Sequence, residues 1–101
     1  MENESCIVAS ARNDLATGRD FYERQDEALG GYFLDSLFSD IDSQVLYAGI
    51  HRKVFGFHRL LSKRFPYGIY YQFNGQGVIV YRVLDLRQYP RKIRMALKSD
   101  G

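Results

Sequence analysis

Cysteine, proline and tryptophan are rare in this sequence, whose 101 residues include one Cys, two Pro and no Trp. The single cysteine, Cys6, cannot form a disulfide within the chain or provide a cysteine-based zinc site, and it fits a protein of the reducing cytoplasm. No apolar run approaches the roughly 20 residues that a membrane-spanning helix needs. The acidic start of the chain lacks the apolar segment of a secretory signal. We therefore expect a cytoplasmic protein that does not associate with membranes.

Acidic residues are almost missing from the second half of the chain. Residues 51–101 contain 11 bases and two acids, a balance of +9, whereas residues 1–50 contain 10 acids and three bases, a balance of −7. One interpretation is that the second half faces a polyanion, either nucleic acid or an acidic protein. The other is that the two halves neutralise each other across the fold. The arginines that lie among aromatic residues favour the first interpretation.

The 101 residues have the length of a single domain, residues 1–101, and the first half of it shows a helical period. Ser5–Ala9 predicts a short strand, and Ser10 is the predicted N-cap of the helix that follows. One face of that helix is predicted by the spacing i, i+4, i+7 and i+11 of Ala11, Leu15, Gly18 and Tyr22. Ala28–Gly31 then predicts a turn. A second apolar stripe, predicted to end near residues 47–49, consists of Phe33, Leu34, Leu37, Phe38, Ile41 and Val45. Together these segments predict a helical hairpin with an acidic outer face.

The second half has the composition of strands. Pro66 suits a strand start, because its fixed φ and missing N–H exclude it from a strand interior. Tyr67–Phe73 and Val78–Asp85 are rich in strand-favouring residues, and the Asn-Gly-Gln-Gly segment between them predicts a hairpin turn. A preceding strand is predicted over Phe55–Ser62, and Pro90 can begin a short terminal helix. The predicted fold is α+β, with an N-terminal strand and a helical hairpin packed on one face of a small, mostly antiparallel sheet.

Alternation along the strands predicts which side chains are buried. The predicted core face of the first hairpin strand carries Tyr67, Ile69, Tyr71 and Phe73. Tyr70 and Tyr81 would be exposed if both face away from the helices, and the alternatives for them are an exposed tyrosine that stacks on bases and a buried tyrosine with a hydrogen-bond partner. The terminal helix should bury Ile93 and Leu97 and should expose four bases, Arg91, Lys92, Arg94 and Lys98. Cys6 is predicted to be buried near a strand edge.

The two histidines, His51 and His58, have no cysteine or paired carboxylate to accompany them. Zinc sites usually combine histidine with such ligands, so packing or surface roles are favoured for both residues. His58 would contact phosphate only if its strand faced the basic surface.

Several short segments occur in a fixed order along the chain. They are Ala11 with Asp14-Leu15, Phe21-Tyr22-Glu23, Leu29-Gly30 with Phe33-Leu34, Arg59-Leu60-Leu61, Lys63–Tyr71, and Val83–Arg87 with Pro90. In this order and at these separations they resemble the toxins of the RelE/ParE superfamily, from bacterial type II toxin–antitoxin systems. The resemblance covers residues 7 to about 97, and Lys63–Tyr71 is its strongest part.

The resemblance implies one of two activities. One branch of the superfamily poisons DNA gyrase. Another cleaves mRNA in the ribosomal A site, with a basic and aromatic site that uses no metal or other cofactor. Either activity inhibits growth and serves plasmid stabilisation in some systems. A cognate antitoxin is the implied partner, in a hetero-oligomer or beside a toxin homodimer.

Candidate residues follow from the resemblance position by position. Arg87 matches the arginine at the end of the last core strand, and Tyr89 lies close to a terminal tyrosine that serves as acid or base. These two would be catalytic only in an RNA-cleaving toxin. Contacts to the target or to RNA are implied for Arg59, Lys63, Arg64, Arg82, Arg87 and Arg91. A structural alternative for Arg87 is a salt bridge to Asp85 or to the acidic helices.

Three positions depart from the RNA-cleaving pattern. Gly68 stands where ribonucleolytic members carry an arginine, Asp85 where many carry a histidine, and Ile93 about where the terminal tyrosine falls. These departures favour a ParE-like toxin that acts on gyrase. The ribosome-dependent endoribonuclease is the alternative, and an inactive relative that only binds its antitoxin is a third reading.

Overall fold

A computed structural model describes residues 4–44, 51–73 and 77–100. Its elements in chain order are β1 (Glu4–Ile7), α1 (Ala9–Glu23), α2 (Leu29–Gln44), β2 (Lys53–Val54), β3 (Phe57–Leu61), β4 (Tyr67–Phe73), β5 (Gly77–Asp85) and α3 (Pro90–Asp100). This is the predicted order with the two-residue strand β2 added. None of the helices in the described ranges has the length and apolar character that would let it cross a membrane.

The strands form one five-stranded sheet in the order β1-β5-β4-β3-β2. β1 runs parallel to β5, and the other neighbours are antiparallel. β4 is central and pairs with β5 from Tyr67↔Asp85 to Phe73↔Val78. The predicted hairpin is therefore confirmed, and residues 74–76 of its predicted turn lie outside the described residues.

The helical hairpin packs on one face of the sheet, as the sequence predicts. Its contribution to the core comes from Ala11, Leu15, Tyr22, Phe33, Leu37 and Ile41, and the sheet contributes residues that include Leu60, Tyr67, Ile69 and Tyr71. Gly18 allows the close approach of the two helices, because a Cβ at this position would lie 2.6 Å from the Phe33 ring. Phe38, which the apolar stripe includes, is instead 41% exposed. Val45 and the predicted helix end at residues 47–49 lie outside the described residues.

The terminal helix α3 covers the opposite face of the sheet. Ile93 and Leu97 pack there against Phe57, Tyr70 and Leu84. Of the two alternatives for Tyr70, the buried one is present, since this residue is completely buried, and Tyr81 is partly buried on the same side. Phe73 was predicted to lie in the core but is 42% exposed near the end of β4.

The helix boundaries differ from the predicted ones for local reasons. Ser10 is not an N-cap, because α1 begins at Ala9 and Val8 occupies the cap position without a side-chain hydrogen bond. The turn between the helices precedes Leu29 instead of covering residues 28–31. At its end the Glu23 carboxylate accepts the N–H of Gly30 at 2.8 Å and the N–H of Ala28 at 3.3 Å. An acceptor for these first N–H groups lets α2 begin before the two glycines.

Two further predictions need correction. The strand predicted from Phe55 begins at Phe57, because Phe55 and Gly56 have φ values of 55° and 89° and form the turn between β2 and β3. Cys6 is exposed rather than buried. It lies on β1, which is an edge strand of the sheet.

Candidate functional site

Basic residues gather at the end of the sheet where β3 and β5 end and β4 begins. Tyr67 at the start of β4 pairs with Asp85 at the end of β5. The Leu86 N–H donates to the Pro66 carbonyl at 2.8 Å, which ties the β3–β4 connection to the segment that follows β5. We call this region the basic end and define it by three exposed residues, Lys63, Arg64 and Arg87.

Arg87 is held in one orientation by its neighbours. Its Nε donates to Asp85 Oδ1 at 2.9 Å and its Nη2 to Asp85 Oδ2 at 2.7 Å. Nη2 also lies 3.4 Å from the Tyr22 hydroxyl, and the guanidinium carbon is 5.8 Å from the centre of the Phe21 ring. The hydrogen bonds from Arg87 lower the pKa of Asp85, and the same bonds raise the pKa of Arg87. The predicted structural alternative, a salt bridge to Asp85, is present in the molecule.

The Arg87 side chain is still 52% exposed, so a ligand can reach it. Exposed ion pairs contribute about 0–1 kcal/mol to stability, because solvent screens the charges. The pair with Asp85 therefore orients the guanidinium at little energetic gain. Nη1 takes part in none of these hydrogen bonds, so a phosphate or carboxylate can reach the oriented guanidinium from that side.

Aromatic packing anchors the connection that carries Lys63 and Arg64. The Phe65 ring lies 4.8 Å from the Tyr22 ring and 5.1 Å from the Phe33 ring, measured between centres. Asp40 of α2 accepts hydrogen bonds from the Ser62 hydroxyl at 2.7 Å and from the Lys63 N–H at 3.2 Å. The two bases are thus presented by a segment that is fixed to the helical hairpin.

Tyr67 belongs to the same aromatic cluster, with its ring 5.0 Å from that of Phe33. Burial, followed by the nearby Asp85 carboxylate, raises the pKa of Tyr67 to about 12. This tyrosine is therefore protonated at neutral pH and acts as a core residue behind the basic end.

Arg82, a predicted binding residue, is occupied by a structural contact. Its Nε and Nη2 donate to the two Asp14 oxygens at 2.7 and 2.9 Å, and Nη1 donates to the Ala96 carbonyl at 3.2 Å. Asp14 also accepts the Val83 N–H at 3.0 Å. The two side chains are only 20% and 11% exposed. We call these contacts the Asp14–Arg82 clamp. The clamp joins α1, which carries Asp14, to β5, which carries Arg82, and to α3, which carries Ala96.

Sequence reasoning did not find the clamp. Asp14 lies beside Leu15 on the buried side of α1, and an acid at such a position indicates a cationic partner. The helical spacing of α1 already places Asp14 next to its buried face, so the need for a cationic partner could have been predicted from the sequence. The clamp also borders a cleft of about 360 Å³ between α1 and the end of β5, whose walls include Phe21, Tyr67 and Leu84.

The remaining predicted residues lie away from the clamp. Arg59 pairs with Tyr70 across β3 and β4, on the sheet face that α3 covers. The Tyr70 hydroxyl is buried and has no hydrogen-bond partner among the residues described. Burial raises the pKa of Tyr70, and the neighbouring Arg59 opposes that rise. Tyr89, which is 79% exposed, and the exposed Arg91 lie at the start of α3, just beyond Arg87.

The two histidines form a cluster with Tyr71 instead of joining the basic end. His51 Nδ1 hydrogen-bonds the Tyr71 hydroxyl, and His58 Nδ1 lies 2.7 Å from the His51 carbonyl. The His58 ring stacks on Tyr71 with centres 5.3 Å apart. Burial, and then the nearby His58, lowers the pKa of His51. The predicted packing role fits these contacts. Within residues 4–44, 51–73 and 77–100, no three His, Cys, Asp or Glu side chains come together as metal ligands would.

Comparisons with known proteins address the fold. No protein-family model matches the chain, and no curated protein matches its sequence. Among solved structures, the chain is similar to one in the chromosomal ParDE toxin–antitoxin system from P. aeruginosa, with a TM-score of 0.60. The match covers 84% of this chain and 97% of the other, and 20% of the residues are identical. This chain has a ParE-like fold. The α+β fold that the sequence resemblance implies is thereby confirmed.

Proposed function

We propose that this ParE-like chain is the toxin of a type II toxin–antitoxin system and inhibits growth by acting on DNA gyrase in the cytoplasm. The observation that carries the proposal is the fold likeness, which spans 97% of a chain from a ParDE system. The departures at Gly68, Asp85 and Ile93 from the RNA-cleaving pattern favour gyrase as the target.

A cognate antitoxin is the partner that neutralises the chain. The cleft of about 360 Å³ beside α1 offers apolar side chains to an antitoxin segment, and Arg87 lies next to Phe21 at its border. An acidic antitoxin side chain would meet Arg87 there, whereas Arg82 already holds Asp14. Affinity for the antitoxin should fall with rising salt to the extent that charge contributes.

Arg87 is the residue with which to test toxicity. Arg87→Ala removes the oriented guanidinium and should abolish growth inhibition, while the protein stays folded and still binds its antitoxin through the apolar cleft. The matched control is Arg19→Ala, since Arg19 forms a similar exposed pair with a neighbouring acid, Asp20, on α1. That variant should remain toxic.

Controlled expression with separate readouts identifies the target. A gyrase poison induces the DNA-damage response before translation falls, and purified protein should inhibit gyrase. A folded Arg87→Ala variant that stays fully toxic would move the active surface to Arg59, Lys63 and Arg64. Expression that leaves growth unchanged would instead support an inactive relative that only binds its antitoxin.

The gathering of bases at the basic end supports one alternative, a ribosome-dependent endoribonuclease. In that reaction Arg87 would stabilise the charge that develops on the phosphate, and Tyr89, two residues further on, would transfer the proton. Cleavage of mRNA on ribosomes without inhibition of gyrase would establish this alternative. Tyr89→Phe would then abolish cleavage, whereas it should leave gyrase inhibition unchanged.

A further inference from the structure

The outer side of α3 is a stripe of basic residues. Arg91, Arg94, Met95 and Lys98 are spaced at i, i+3, i+4 and i+7, so they lie on one side of the helix. Ile93 and Leu97, on the other side, are buried against the sheet. At 1.5 Å per residue, the stripe from Arg91 to Lys98 is about 10 Å long.

An exposed aromatic ring stands at each end of this stripe. Tyr89, immediately before α3, is 79% exposed, and Phe55 in the β2–β3 turn is 46% exposed. Phe55 borders an open cleft of about 410 Å³ whose other walls include Arg94 and Lys98 near the end of α3. We call this surface the α3 ridge and define it as Phe55, Tyr89, Arg91, Arg94 and Lys98.

The backbone of Phe55 is in a conformation that phenylalanine rarely adopts. Its φ of 55°, followed by a φ of 89° at Gly56, builds the two-residue turn between β2 and β3. Turns with positive φ at both residues favour Asn-Gly, and a bulky side chain at the first position is strained. Strain of this kind at an exposed ring is typical of functional positions. The ring is therefore placed in solvent at a cost to the turn.

The exposed acids of the helical hairpin lie apart from the α3 ridge. α1 and α2 cover one face of the sheet, and α3 covers the other. Exposed acids of the helical hairpin, such as Asp26, Asp35 and Asp42, therefore lie across the sheet from the basic stripe. These acids of the first half and the bases of α3 therefore lie on opposite sides of the sheet. The side that carries α3 is attractive to a polyanion.

We propose that the α3 ridge binds single-stranded nucleic acid. Arg91, Arg94 and Lys98 would contact phosphates, while bases stack on Phe55 and Tyr89. Proteins hold single strands with separate aromatic rings beside a basic track, and this is the arrangement of the ridge. The core of a protein–protein interface is depleted of charged residues. On the ridge, by contrast, three cations lie between the two rings, and the exposed Met95 lies among them. The proposal goes beyond the toxin function and does not rest on it, because binding is measured with the purified chain.

Fluorescence anisotropy of a labelled single strand tests the proposal. The probe is a mixed-sequence oligonucleotide of about 12 nucleotides, as DNA and as RNA, which exceeds the span of the ridge. Phe55→Asn removes the ring and inserts the residue that the turn favours, so the variant should fold at least as stably as the wild type. Its Kd should rise at least about fivefold, the usual effect of losing one stacked base.

A double variant and a matched control distinguish binding at the ridge from a general effect of the net charge of the protein. Arg94→Ala with Lys98→Ala should weaken binding and reduce the slope of log K against log salt by about 0.7 for each phosphate that the variant no longer neutralises. Arg24→Ala removes an exposed base beyond the end of α1, across the sheet, and should bind as the wild type does.

Three results would overturn the proposal. The first is an absence of strand binding at low salt. The second is a drop in affinity in Arg24→Ala that equals, for each charge removed, the drop in the double variant Arg94→Ala with Lys98→Ala, which would show that only net charge matters. The third is strand binding that is unchanged in both ridge variants, and if these variants no longer bind the antitoxin, the ridge is a surface for an acidic protein instead.

Discussion

The Asp14–Arg82 clamp should be one of the strongest single contributions to the stability of this fold. Asp14→Ala removes the acceptor for two Arg82 N–H groups and for the Val83 N–H. Truncating one partner of a buried ion pair costs about 3–5 kcal/mol, because the other charge remains buried. The exposure of the two side chains, 11% and 20%, admits some water and places the expected loss near the lower end, at about 3 kcal/mol.

Urea and thermal unfolding of the purified variant measure this loss. Domains of this size are stable by about 5–15 kcal/mol, so a loss of about 3 kcal/mol is a large share. The melting temperature should fall by more than about 10 °C, since each kcal/mol shifts it by about 4–8 °C. Asp14→Asn keeps an oxygen for the Val83 N–H and one arginine contact, and we expect it to be destabilised less than Asp14→Ala.

The matched control is Asp20→Ala, which breaks the Arg19–Asp20 pair on the same helix. Those side chains are 47% and 54% exposed, so the loss should stay below about 1 kcal/mol. An Asp14→Ala variant that unfolds within about 1 kcal/mol of the wild type would refute the reasoning. The result also bears on function. If Arg82→Ala and Asp14→Ala lose toxicity in parallel with stability, Arg82 acts through the fold and not through the target.

The parts of the fold that could be predicted from the sequence are those that depend on local sequence patterns. The helical face of α1, the β4–β5 hairpin and the start of α3 each depend on residues close in sequence, so spacing and turn chemistry revealed them. The burial of Tyr70 depends on the packing of α3 against the second face of the sheet. The alternation of residues along a single strand cannot predict that packing. The run from Tyr67 to Tyr71, buried at every position, is typical of a strand covered on both faces.

In the candidate site, too, contacts set by neighbouring elements could be predicted from the sequence, whereas contacts set by tertiary packing could not. Hairpin connectivity places Lys63, Arg64 and Arg87 at one end of the sheet, so their proximity was predictable from the strand order. The partner of Arg82 lies 68 residues away in sequence and becomes its neighbour only through tertiary packing. The strained turn at Phe55 was hidden for a different reason, because phenylalanine favours strands and extended the predicted strand over it.

Two further predictions concern close packing and titration. Gly18→Ala should destabilise the fold by about 1–2 kcal/mol in urea unfolding, because the new Cβ would lie 2.6 Å from the buried Phe33 ring and overpacking outweighs the gain in helix propensity. Gly31→Ala, with nothing within 4 Å of its Cβ, should instead stabilise α2 by up to about 1 kcal/mol, and equal effects in the two variants would contradict this account. The last prediction rests on the lowered pKa of His51, which follows from burial and from the nearby His58. The folded state then binds fewer protons than the unfolded state below about pH 6.5, the ordinary pKa of histidine. Stability should therefore be complete above that pH and should fall as the pH drops through 6.5 toward the lowered pKa of the folded state. Unfolding curves between pH 8 and pH 5 should show this slope in the wild type and a smaller one in His51→Gln, and identical slopes would exclude His51 as its source.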